Sequence, residues 1–119
     1  MTDYIEQLVD LIEKAAEEKK AADIVILNIG KVSVVADYFI IATGSSKVQV
    51  QAIADNITDS LRIEGFPTLH EEGLNEGLWV LLDYGAVVVH IFQPEERSFY
   101  NLERLWNHAP RTANNSLAH

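Results

Sequence analysis

The densest apolar stretch of the chain runs from Leu78 to Phe92, LWVLLDYGAVVVHIF, where twelve of fifteen residues are apolar and the exceptions are Asp83, Gly85 and His90. It is too apolar for two half-solvated strands and too interrupted for a membrane helix. Asp83-Tyr84-Gly85 at its middle is the order wanted by a type I turn closed by a left-handed glycine. The pattern predicts an antiparallel hairpin, Leu78–Leu82 against Ala86–Phe92 around a three-residue loop. That register pairs Leu81 with Val87 and Trp79 with Val89. One face then carries Trp79, Leu81, Val87, Val89 and Ile91; the other carries Leu78, Val80, Leu82, Val88, His90 and Phe92. Both faces are apolar, so both need cover, one from helices of this chain and the other from a partner. A slip of one residue would exchange the faces.

Elsewhere the periodicity changes with position. Ile5, Leu8, Val9, Ile12, Ala15 and Ala16 recur at helical spacing behind an Asp3/Glu6 capping pair, which predicts a helix over about Asp3–Lys19 with an acidic, solvated side. The β-branched run Ile24–Ile29 and the run Tyr38–Thr43 read as buried strands. Val32–Ala36 is apolar but too short to assign. Ser46 and Gln49 form a capping box before a second helix, about Lys47–Glu64, stopped by Gly65. Pro67–His70 reads as a short edge strand, and the unit from Tyr38 to His70 as a right-handed crossover. Pro94 opens a last helix with Glu95 and Glu96 in its first turn, and Phe99, Leu102, Leu105 and Trp106 supply its apolar side. The tail from Asn107 to His119 has no period, so it is expected to be mobile. The expected architecture is one α/β domain over residues 1–106, a mixed five-stranded sheet with helices packed on it, followed by the tail 107–119.

Composition narrows the function. The chain has 119 residues, enough for one core, and no cysteine, which excludes a disulfide framework and thiolate chemistry. Its N-terminus, MTDYIEQLVD, has neither the basic nor the apolar part of a secretory signal, and no apolar run is long enough to span a bilayer. The expected location is cytoplasmic. The net charge of −9 disfavours a grip on nucleic acid or an anionic membrane and suits a basic protein surface, although solubility alone also accounts for it.

Candidate chemistry is sparse. Thr43-Gly44-Ser45-Ser46 lies between a strand and a helix N-terminus, where an anion can bind, but it matches neither a P-loop nor GxGxxG. A tight turn with a serine cap is the simpler reading. Asp37 and Asp83 stand at strand edges, yet no D-x-D or D-x-E occurs on an expected strand. His70, Glu72 and His90 lack metal-site spacing, so no metal or cofactor is expected, and His90 reads as a hydrogen-bonded, half-buried residue. Trp79 reads equally well as core or as an interface anchor.

The run Asp37–Ser46, then Gln49–Asp55, Glu72-Gly73, Trp79–Gly85, Val89–Phe92, Arg97, Tyr100, Leu102-Glu103 and Leu105-Trp106, resembles the Iojap-like family of ribosomal silencing factors (RsfS, YbeB) in unbroken order. The resemblance implies a nucleotidyltransferase-like fold without the catalytic carboxylates, and a role that is not enzymatic. It implies binding to ribosomal protein L-fourteen on the large subunit, steric blocking of small-subunit joining with lower translation when nutrients are short, and a homodimer when free. On this reading the partner-binding residues are Trp79 and Leu81 as apolar contacts, Asp83 and Tyr84 at the turn, and Glu72 and Glu95 as partners for Lys or Arg. The second reading is a nucleotide-binding or nucleotidyl-transferring enzyme built on Gly44-Ser45 and Asp37; a third is a dimeric adaptor without ribosome contact.

Overall fold

The computed structural model describes residues 4–112. Helix α1 (Tyr4–Glu18) leads to strand β1 (Ala22–Leu27), a 3-10 turn at Ile29–Lys31, β2 (Tyr38–Thr43), helix α2 (Lys47–Ile63), β3 (His70–Glu72), β4 (Trp79–Asp83), β5 (Val87–Phe92), short helices α3 (Pro94–Tyr100) and α4 (Leu102–Leu105), and β6 (Arg111–Thr112). The strands form one mixed sheet in the order β3-β4-β5-β2-β1-β6, in which only β2 and β5 pair in parallel. The five expected strands are all present, with β3 displaced to His70–Glu72 and a sixth strand added. Helix α2 carries the chain past two strand positions to the far edge, and the hairpin β4–β5 fills the gap.

The alternation of side chains assigns the two faces. Ile24, Ile26, Ile40, Ala42, Val80, Leu82, Val87, Val89 and Ile91 point to one side, where Leu8, Ile12, Ile53, Ile57 and Leu61 of α1 and α2 close over them. Each such aliphatic side chain withdrawn from water contributes about 1.5–3 kcal/mol. The opposite face carries Leu27, Phe39, Ile41, Val88 and Phe92, and the cover there is thinner: Leu102, Trp106 and Ala109 pack into this cluster, with Trp106 edge-on to Phe39. This chain therefore covers part of the second face itself, where a partner was expected to supply all of it.

The hairpin register differs from the expected one. Trp79 pairs with Phe92, Leu81 with His90 and Asp83 with Val88, three residues away from the predicted pairing. The turn is the cause. The Asp83 carboxylate accepts the Gly85 N–H at 2.7 Å and the Tyr84 N–H bonds the Val87 carbonyl, so the loop contracts to Gly85-Ala86. Gly85 has φ +87, the first-position glycine of a type II′ connection. An odd shift exchanges faces, so Trp79 and Leu81 stand beside Val88, His90 and Phe92 and not beside Val87, Val89 and Ile91.

The chain after Trp106 also departs from expectation. Ala109 is buried, the Pro110 carbonyl accepts the Asn28 N–H at 2.8 Å, and Arg111–Thr112 adds to the outer edge of β1. The expected mobile tail is corrected for 107–112; residues 113–119 lie outside the described residues. Deleting the chain from Pro110 onward should uncover the β1 edge, lower stability by about 1 kcal/mol, roughly 4 °C in melting temperature, and promote edge association. An unchanged melting curve would contradict this.

Glu13 is a liability in the covered layer. It is buried on α1 and its Oε2 has no hydrogen-bond partner. Burial, then Glu17 and Asp10, push it up to about 7. Its folded value lies above the unfolded one, so its contribution is fully present below about pH 4.5 and is lost as pH rises through about 7. Glu13→Gln should therefore raise the melting temperature relative to wild type at about pH 8 and converge with wild type near pH 4. An equal difference at both pH values would contradict this.

Candidate partner-binding face

The β3–β4 side of the thinly covered face brings most of the expected residues together. Glu72 stands opposite Leu81, His70 opposite Asp83, and Leu81 and Asp83 in turn stand opposite His90 and Val88. Glu72, Trp79, Leu81 and Asp83 thus share one surface. Glu72 is exposed and hydrogen-bonds the His70 ring, whereas Trp79, Leu81 and Asp83 are half-buried. Glu95 is exposed in the first turn of α3, off the strands. Tyr84 leaves the set. It is 4% exposed in the helix-covered core, accepts the Thr68 hydroxyl hydrogen at 3.0 Å, and burial raises its pKa. The three-residue register change places it under the sheet.

Trp79 is both packed and presented. Its ring lies 4.9 Å from Phe92 and 4.6 Å from Tyr100, and its Nε1–H donates to His90 Nδ1 at 3.1 Å. Behind it, Gly73 (φ +83) passes so close to the Trp79 carbonyl that any Cβ would collide with it. His90 is 4% exposed, and desolvation lowers its pKa to about 4, so the imidazole is neutral near pH 7.

Sequence reasoning did not place Phe99, Tyr100 and Leu105 on this surface. The apolar pattern predicts Phe99 and Leu105 as inward-facing members of one continuous helix. Asn101 breaks that helix: its φ is +47, it ends α3, and its side chain caps α4 by accepting the Arg104 N–H at 3.2 Å. The break resets the helical phase, leaving Phe99 80%, Leu105 66% and Tyr100 49% exposed while Leu102 and Trp106 reach the core. An asparagine in mid-pattern was the available signal, because Asn tolerates the left-handed region and caps helices.

Arg97 fixes the two short helices to the sheet. Its Nε and Nη2 donate to the two Glu103 oxygens at 3.3 and 2.9 Å, and its Nη1 donates to Thr43 Oγ1 at 2.8 Å. Both ionic side chains are mostly withdrawn from water.

The alternative site on Gly44-Ser45 and Asp37 does not assemble. These residues occupy opposite ends of β2, separated by about 20 Å at strand rise. The donors of Gly44 and Ser45 are also committed. The Gly44 N–H goes to the Phe92 carbonyl, the Ser45 N–H and hydroxyl go to Gln49 Oε1 at 2.6 and 2.8 Å, and the Gln49 N–H goes to Ser46 Oγ. Gly44 is required because a Cβ would meet the Val50 backbone nitrogen at 2.9 Å. Among the described residues no group of three or more His, Asp and Glu side chains is placed to hold a metal ion.

The Arg97–Glu103 pair gives a stability test. Glu103→Ala strands a largely buried guanidinium and should cost about 2–4 kcal/mol, whereas Asp59→Ala, which breaks the exposed pair with Arg62, should cost under about 0.5 kcal/mol. Equal small losses in denaturant titrations would show that Arg97 re-solvates freely.

Comparison with known proteins agrees with this arrangement of elements. The family described as ribosomal silencing factor during starvation matches residues 2–119. The ribosomal silencing factor RsfS of Bacillus subtilis is 50% identical over 96 residues, 81% of each chain. A protein from Chromobacterium violaceum, solved by X-ray crystallography, superposes with a TM-score of 0.86 at 36% identity, over 88% of each chain. A mouse protein named mitochondrial assembly of ribosomal large subunit protein 1 is 28% identical over 82% of this chain and 44% of its own length. The chain belongs to the ribosomal silencing factor family.

Proposed function

We propose that the protein binds the large ribosomal subunit through ribosomal protein L-fourteen and blocks joining of the small subunit by occupying that surface, lowering translation when nutrients are short. Blocking of this kind is steric and needs no catalysis. The observation that carries the reading is the half-covered sheet face, where the half-buried Trp79 ring meets Tyr100, Tyr100 meets Phe99, Leu105 lines a groove with those two, and Leu81 stands opposite Glu72. Contiguous apolar patches of this kind mark partner surfaces, and an aromatic centre with a charged rim is the usual anatomy of an interface. The net charge of −9 complements a basic ribosomal protein and speeds the encounter. The names of the relatives, one referring to ribosome silencing and one to the large subunit, point the same way. When no ribosome is present, the same face is free to close on a second copy of the chain.

Co-sedimentation with isolated large subunits, isolated small subunits and naked ribosomal RNA tests the proposal. Wild-type protein should pellet with large subunits only and prevent their association with small ones. Glu72→Arg alters an exposed edge residue, at the loss of its surface contact with His70, and should weaken binding more at low salt than at high salt. Trp79→Ala should cost about 2–4 kcal/mol of binding, roughly 30- to 1,000-fold in affinity. That variant also removes packing against Phe92 and Tyr100, so its melting temperature must be read alongside. Failure of wild-type protein to pellet with large subunits, or preferential pelleting with RNA, would contradict the proposal.

A further inference from the structure

Trp79 spends its only polar hydrogen inside the protein. An indole N–H donates and never accepts, so the 3.1 Å contact fixes His90 as the tautomer with a bare Nδ1 and a hydrogen on Nε2. That Nε2–H is buried and has no hydrogen-bond partner. Burial of the imidazole, which lies 4.7 Å from the Phe39 ring, keeps it neutral and Nδ1 available. A residue present only to fill space would not carry an unmade hydrogen bond in a buried site, since a phenylalanine fills much the same volume without one. What the imidazole adds over a phenyl ring is the acceptor that it turns toward Trp79.

We propose that His90 is a positioning residue that holds the Trp79 indole in a single orientation with its N–H turned inward, so that the docking partner meets an apolar ring edge and no free donor. This rests on the reading that the Trp79 face docks on the large subunit. It specifies the chemistry opposite Trp79 as a pocket of aliphatic or aromatic side chains with no hydrogen-bond acceptor for the indole. Lys or Arg belongs at its rim, facing Glu72 and Asp83. Orientation matters because Tyr100 and Phe92 both lie against the same ring, and a rotated indole would lose those contacts.

The test uses the full chain, with the Trp79 indole N–H resonance assigned by comparison with Trp106→Phe. In wild-type protein that N–H should be protected from solvent exchange. In His90→Phe, with the fold retained by circular dichroism, the N–H should lose protection and affinity for large subunits should fall about tenfold. His90→Asn returns an acceptor at the Nδ1 position and should restore both the protection and most of the affinity. A folded His90→Phe with an unprotected indole that binds within about twofold of wild type overturns the positioning role. Should His90→Phe fail to fold, His90→Asn decides: a protected indole with near-wild-type affinity supports the proposal, and a protected indole with a tenfold loss overturns it. Wild-type protein that does not bind large subunits, or Trp79→Ala that binds as well as wild type, instead removes the docking reading itself.

Discussion

Strand β5 is buried along its whole length, and β2 beside it is nearly so; this parallel pair has to be sheltered on both faces. The chain meets that demand unequally. Two helices of 15 and 17 residues close one face. The other receives a seven-residue helix, a four-residue helix and a segment ending in a two-residue strand. The short cover reaches Phe39, Ile41 and Val88 and touches β4 at Trp79 through Tyr100, but it leaves Leu81 half-buried and Glu72 exposed. The surface proposed for docking is what remains where the cover ends.

The same economy explains the polar contacts at the margin. A seven-residue helix has little stability of its own, and α3 is held by Arg97 bonding to both Glu103 and Thr43. Asn101 turns the chain back so that α4 can lay Leu102 and Trp106 on the core. The cost of the turn is the outward placement of Phe99 and Leu105. On a protein whose only task were to fold, those two side chains would be a defect. On one that docks, they extend the Trp79 surface.

Much of this was legible in the sequence because it depends on runs of one residue type. Strand β2 was expected at Tyr38–Thr43 and is found there; α2 was expected from Lys47 and begins there, with Ser46 as its cap. What was not legible depends on single side chains acting on backbone. Asp83 contracts the hairpin loop and moves the register by three, which exchanges the faces of the whole hairpin and withdraws Tyr84. Asn101 interrupts a helical pattern that otherwise reads straight through. A two-residue strand such as Arg111–Thr112 has no periodicity to detect. Trp79, Leu81, Asp83 and Glu72 nevertheless fall on one surface, because they belong to β4 and β3 and share the parity of the pleat.

The most direct measurement is amide hydrogen exchange of the protein alone and bound to large ribosomal subunits. If the half-covered face docks, added protection should be confined to His70–Asp83 and to 97–105, with α1 and α2 exchanging as in the free protein. Protection confined to α1 and α2, or an exchange pattern unchanged by the large subunit, would contradict the account.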